Sequence, residues 1–102
     1  MSIKLILLNS GEKLISDVKE AHLENQMVSY ILEQPCQITL NGKYEVNEEN
    51  PRYSISFNRW PVLSSDTIIE LNPKSVVTIS EPIDQVKLLY QNQILEKENE
   101  SN

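Results

Sequence analysis

The chain has 102 residues, of which 9 are basic and 15 acidic, with one histidine and a formal charge of −6. That length supports one domain with a thin core, which partner subunits would help to stabilise. The acidic balance argues against a sequence-blind nucleic-acid binder held by Lys and Arg on phosphates, and the single cysteine, Cys36, rules out an internal disulfide.

In chain order, Ile3 to Leu8 is a short apolar run suited to a buried strand. Asn9-Ser10-Gly11-Glu12 supplies a turn in which Gly11 takes positive φ without steric cost. Lys13 to Ala21 reads as a second strand, with Asp17/Val18/Lys19 alternating toward a solvated face, so the first two strands form a hairpin. His22 to Met27 is polar and reads as a loop. Val28 to Leu40 is a long strand with Pro35 in its middle, where the missing donor demands a bulge, a bend or an exposed edge. Asn41-Gly42 is a two-residue turn signal, and Lys43 to Arg52 reads as a loop projecting into solvent. Tyr53 to Phe57 alternates cleanly, Asn58 to Asp66 interrupts, and Thr67 to Leu71 and Val76 to Ser80 are strands around the tight turn Asn72-Pro73-Lys74-Ser75. Short strands and short polar turns predict a small barrel or sandwich.

From Pro82 the period changes. Ile83, Val86, Leu89, Tyr90 and Ile94 fall on one side of a helix, with Pro82 in its first turn and Asp84 complementing the dipole. Such a helix is expected to cap its own barrel, since helices this short are marginal without packing. Glu96 to Asn102 has no apolar residue and is expected to fray. No stretch reaches the roughly 18 apolar residues of a membrane span. The strand-like opening run, without a charged n-region and cleavage site, leads to the expectation of no signal peptide, and the lone cysteine suits a reducing compartment. The expected location is the cytoplasm.

The order strand, Gly turn, strand, loop, long strand, variable loop, strand, tight turn, strand resembles the Sm-like family over residues 3 to 80. Gly11 stands where the family's first motif places a glycine between the first two strands. Leu71-Asn72-Pro73-Lys74-Ser75-Val76-Val77-Thr78-Ile79 keeps the apolar spacing of the second motif, Ile-Arg-Gly-x-x-Val-x-x-Ile, with Asn72 and Pro73 in place of Arg and Gly. Trp60-Pro61, the ending from Ser75 to Pro82 and a Tyr-containing C-terminal helix look like Sm-like proteins of cyanophage type. The resemblance implies an all-β fold: a strongly bent five-stranded open barrel (Sm-like, SH3-like) over 1–80, with a C-terminal α-helix packed on it over 81–96 and a disordered tail over 97–102. It also implies a closed homo-oligomeric ring, pentamer to heptamer, in host cytoplasm if the source is a phage. Thr67, Ile68, Ile69, Leu71, Val76, Val77 and Ile79 would form the subunit interface, because the open barrel leaves those strand edges unpaired.

The family binds single-stranded RNA, and the matching rim is built from the second and last loops: His22, Asn25, Gln26, Asn72 and Lys74. Repeated around a ring, Lys74 would make a local positive band; the alternative is that these are solvated turn residues. Glu24-Asn25-Gln26-Met27-Val28 resembles the family's uracil-holding segment loosely, with Val28 where its asparagine stands. With the second motif's arginine also missing, the usual uridine pocket is not intact. Arg59 beside Trp60 could stack a base, against the alternative that Trp60 packs under the long loop or at an interface.

Other chemistry finds no footing. His22 has no partners at metal-ligand spacing, Cys36 has no basic neighbour in sequence, and two glycines cannot build a phosphate cradle. The chain is therefore expected to be non-enzymatic, with no metal and no cofactor. Two functions stay open: an RNA-binding ring, or a protein–protein scaffold in phage infection or assembly, favoured by the net negative charge, the missing uridine pocket, and an exposed Trp60 loop and C-terminal helix.

Overall fold

The computed structural model describes residues 1–42 and 53–96. Six strands follow one another: β1 (Ile3–Leu8), β2 (Lys13–Leu23), β3 (Gln26–Gly42), β4 (Tyr53–Arg59), β5 (Ile68–Leu71) and β6 (Val76–Ser80). A 3₁₀ turn, Pro73–Ser75, joins β5 to β6, and α1 (Asp84–Tyr90) continues into a π-helical turn, Gln91–Leu95. The protein is thus mostly β with a short C-terminal helix. All pairings are antiparallel, in the order β4-β3-β2-β1-β6, with β5 also bonded to β3. The sheet is open, because β5 and β6 do not pair with each other.

The turns show how local chemistry sets register. Between β1 and β2, Gly11 takes φ 94 while its N–H donates to the Leu8 carbonyl at 2.9 Å. The polar segment expected as a loop at His22 to Met27 is much shorter: β2 runs to Leu23, β3 begins at Gln26, and only Glu24 and Asn25 turn the chain. Both have positive φ (53 and 68), the pattern of a two-residue type I′ hairpin whose twist matches the flanking strands. The Asn41-Gly42 signal does not make a two-residue hairpin: both residues are paired in β3, opposite Ser54 and Tyr53, while Gly42 holds φ 100 at the end of the strand. The expected loop Lys43 to Arg52 and the tail 97–102 lie outside the described residues.

Pro35 sits in a bulge. Ile15 pairs with Cys36 and Asp17 with Glu33, so Ser16 alone on β2 faces Gln34 and Pro35 on β3. Gln34 holds φ 51 there. One extra residue reverses the side-chain parity of everything beyond it. Before the bulge, Leu32 joins Ile6, Leu8, Leu14, Val18 and Leu71 in one core. After it, Cys36 joins Ile3, Ile15, Val86 and Tyr90 in a second core on the opposite face. A long strand therefore serves two cores.

That arrangement explains β2, where Leu14 to Val18 are all buried. The expected solvated face at Asp17 does not exist: Asp17 is buried, and its carboxylate accepts the Ser2 N–H at 2.8 Å. Burial of a charged group without such a partner would be strongly unfavourable. Ser16 is also buried, and its hydroxyl donates to the Glu33 carbonyl at 2.9 Å.

The second core is closed by α1. Val86 and Tyr90 are buried, with Ile94 and Leu95 packed beside them. Ile83 and Leu89, expected on the same stripe, are exposed. Ile83 is the extended residue before the first helical turn (φ −65, ψ 155), and Leu89 lies a single residue, about 100° of helix, from Tyr90.

β4 and β5 read as one strand interrupted. Arg59 pairs with Cys36 and Ile68 with Glu33, so residues 60–67 loop out at the bulge. The excursion is tied at both ends: the Trp60 N–H donates to the Pro35 carbonyl at 3.1 Å, and the Gln34 N–H to the Thr67 carbonyl at 2.7 Å. At its tip the Ser64 N–H donates to the Pro61 carbonyl at 3.2 Å, and Leu63 holds φ 69. That is the type II pattern, whose third position favours glycine; a leucine there costs about 1–2 kcal/mol.

Candidate nucleic-acid rim and assembly edges

His22, Asn25 and Gln26 lie at or beside the β2–β3 hairpin tip, and all three are exposed. β5 runs antiparallel to β3 with Leu71 opposite Tyr30, which carries the 3₁₀ turn toward that same end of β3. Asn72 caps the turn: its Oδ1 accepts the Lys74 N–H at 2.9 Å. Proline at the first position of the turn suits its fixed φ. The Lys74 side chain is exposed while its carbonyl accepts from Asn9 Nδ2 at 2.6 Å, and the Ser75 carbonyl accepts the Asn9 N–H at 2.8 Å. The β1–β2 turn thus holds the 3₁₀ turn in place.

Arg59 ends β4 opposite Cys36 of β3 and Trp60 follows it, across the bulge from the hairpin tip. Arg59 is exposed. The Trp60 ring is half-buried against the first core, and its indole N–H donates to Glu12 Oε2 at 2.6 Å. The same Glu12 carboxylate accepts the Ser10 hydroxyl through Oε1 at 2.8 Å. The one tryptophan is therefore engaged in the fold through its packing on the first core and its indole N–H. Glu12 escapes a reading of the sequence, because no local signal links it to a tryptophan 48 positions away.

Among the seven edge residues, Leu71 is buried and Ile69, Val76 and Ile79 pack against the first core. Thr67 holds Gln34 through its carbonyl. Only Ile68 and Val77 turn large side chains outward, 60% and 59% exposed. β5 is bonded to β3 alone and β6 to β1 alone, so each keeps one row of backbone groups without a strand neighbour among the described residues.

Cys36 is buried, and the loss of solvation pushes its thiol up to about 11 despite the opposing pull of the Arg59 charge. Burial thus outweighs the basic neighbour that only the fold supplies. Two pH units above the ordinary 9.0 is a hundredfold smaller thiolate fraction, so alkylation of the native chain at pH 8 should be about a hundredfold slower than of the unfolded chain. Iodoacetamide labelling followed by mass spectrometry checks this. The linkage has a definite sign: the folded state holds its proton longer, so this contribution to stability is present below about 9 and is lost as pH rises toward about 11.

Among the described residues no group of three His, Cys, Asp or Glu side chains is placed to hold a metal ion, and no helix is long and apolar enough to cross a membrane. No protein-family model matches the chain, and no curated protein matches it.

Proposed function

We propose that the chain is a Sm-like subunit that closes into a homo-oligomeric ring and binds single-stranded RNA at one rim, without enzymatic activity. One observation supports the ring above the rest. β5 and β6 are joined by a single 3₁₀ turn, yet they pair with different strands, β5 with β3 and β6 with β1. Two sheet edges are left, one on each side of the subunit. Head-to-tail pairing of β5 in one copy with β6 in the next satisfies both and closes when the rotation allows.

The rim reading rests on the exposed hairpin tip with His22, Asn25 and Gln26 and on the 3₁₀ turn with Asn72 and Lys74 at the same end of β3. Ring symmetry would repeat Lys74 around the axis, gathering positive charge locally on an acidic particle. Trp60, with its indole N–H on Glu12, is better placed to hold the loop than to stack a base. The test is binding of a mixed-sequence single-stranded RNA to Lys74→Glu across a salt series. Affinity should fall, and the salt slope should drop by about one for each phosphate that the lysine no longer neutralises. Unchanged affinity and slope would remove the rim.

A second reading, a protein–protein scaffold, is favoured by the outer face of α1, where Leu88 and Leu89 are both exposed. The ultraviolet spectrum of the purified protein separates the two. Co-purified nucleic acid supports the rim, and a clean protein spectrum supports the scaffold.

A further inference from the structure

The loop tip between β4 and β5 is unusual on two independent counts. Val62 and Leu63 are 77% and 99% exposed, and Leu63 occupies a positive-φ position that glycine fills without strain. Side chains this exposed gain little from the folded monomer, which gives no reason for either. Strain that a fold tolerates at an exposed apolar tip is a sign of use elsewhere. The tip is also preorganised, by the Ser64 N–H on Pro61, the Asp66 N–H on Ser64 Oγ at 3.1 Å, and the ties of Trp60 and Thr67 to β3.

The same chain carries a matching hollow. An open, mostly apolar groove of about 660 Å³ is lined by Leu5 and Leu7 of β1, Ile38 and Leu40 of β3, and Ile55 of β4, with Thr78 and Ser80 of β6 along one side. Its one charged lining residue is Lys13. The loop that carries Leu63 has one charged residue between the turn and β5, the exposed Asp66. Knob and groove are therefore complementary in polarity and in charge. The groove is walled by β6 on one side and by β3 and β4 on the other, and the loop leaves between β4 and β5.

We propose that Leu63, with Val62, seats in the groove beside β6 of a second copy of this chain, with Asp66 facing that copy's Lys13. This rests on the head-to-tail reading above, which brings one copy's β5 edge and the next copy's β6 edge to the same junction. It adds a side-chain lock to an interface that otherwise rests on backbone pairing.

The test is the assembly of the full chain followed by analytical ultracentrifugation over a concentration series, for wild type and Leu63→Gly. Glycine relieves the positive φ and removes the knob, so the variant should melt no lower than the wild-type monomer. Its midpoint concentration for assembly should nevertheless rise about tenfold to a hundredfold, as expected for losing one buried leucine side chain. The charge pair is read by exchange: Lys13→Glu combined with Asp66→Lys should assemble more tightly than either single variant. If wild type assembles and Leu63→Gly assembles at the same midpoint, the knob is overturned while edge pairing stands. A wild-type chain that is monomeric at every concentration overturns both.

Discussion

Replacing Tyr90 by alanine should lower stability by about 3–5 kcal/mol, the range for removing a buried aromatic ring. Tyr90 is completely buried, meets Phe57 edge-on at 6.0 Å, and donates its hydroxyl to the Gln34 carbonyl at 2.6 Å, with Glu33's carbonyl at 3.3 Å. Those two carbonyls stand at the bulge, where β3 loses its regular ladder. The tyrosine therefore does two things: it fills the second core under α1, and it satisfies backbone that the bulge has freed. Tyr90→Phe separates them, keeping the ring and costing about 1–3 kcal/mol for the Gln34 carbonyl that loses this donor, while the Glu33 carbonyl keeps the Ser16 hydroxyl. Against a typical total of about 5–15 kcal/mol, the alanine change is large enough to shift most of the urea transition. A midpoint for Tyr90→Ala indistinguishable from wild type would mean that α1 does not close this core. Burial also raises the Tyr90 hydroxyl above its ordinary 10.0, so stability falls as pH climbs past that value, in the same direction as for Cys36.

The second large effect concerns assembly and should leave the fold nearly untouched. Ile68→Lys with Val77→Lys places two cations at side chains that already face outward, so the change in monomer stability should stay within about 0.5 kcal/mol. In a ring both positions would be covered by the neighbour. An unpaired charge held in such a strip costs about 3 kcal/mol or more, which is over a hundredfold in dissociation constant for each. Natural sheet edges use lysine in this way to refuse partners. The variant should sediment as a folded monomer at concentrations where wild type is assembled. Unaltered assembly would place the subunit interface elsewhere on the surface.

Strand identity was legible where burial and pattern agree. The apolar run Ile3–Leu8 and the alternation at Tyr53–Phe57 both lie in strands, and Pro35 marks the bulge that a missing donor requires. What the sequence hid is non-local. The parity switch at Gln34-Pro35 decides which residues of β3 meet α1, and it depends on pairing with β2. Asp17 looked solvated because its partner, the Ser2 N–H, is 15 positions away. Asn41-Gly42 carries the strongest short-range turn signal in the chain, yet both residues are paired with β4, and Gly42 takes its positive φ at the end of β3. Of the candidate site, the residues at the hairpin tip and the 3₁₀ turn come from the family resemblance, and their polarity accords only with their exposure. The engagement of Trp60 with Glu12 could not be read from the sequence, and neither could the strained Leu63, since nothing in Pro-Val-Leu-Ser announces a positive φ.

The ring itself is tested most directly by the native mass of the wild-type chain, by light scattering or native mass spectrometry, across a range of salt. A single species of several subunits that persists at high salt is the expected result, because backbone pairing and apolar contacts are little screened. A clean monomer at every salt concentration would contradict the ring and, with it, the rim that repeats around its axis.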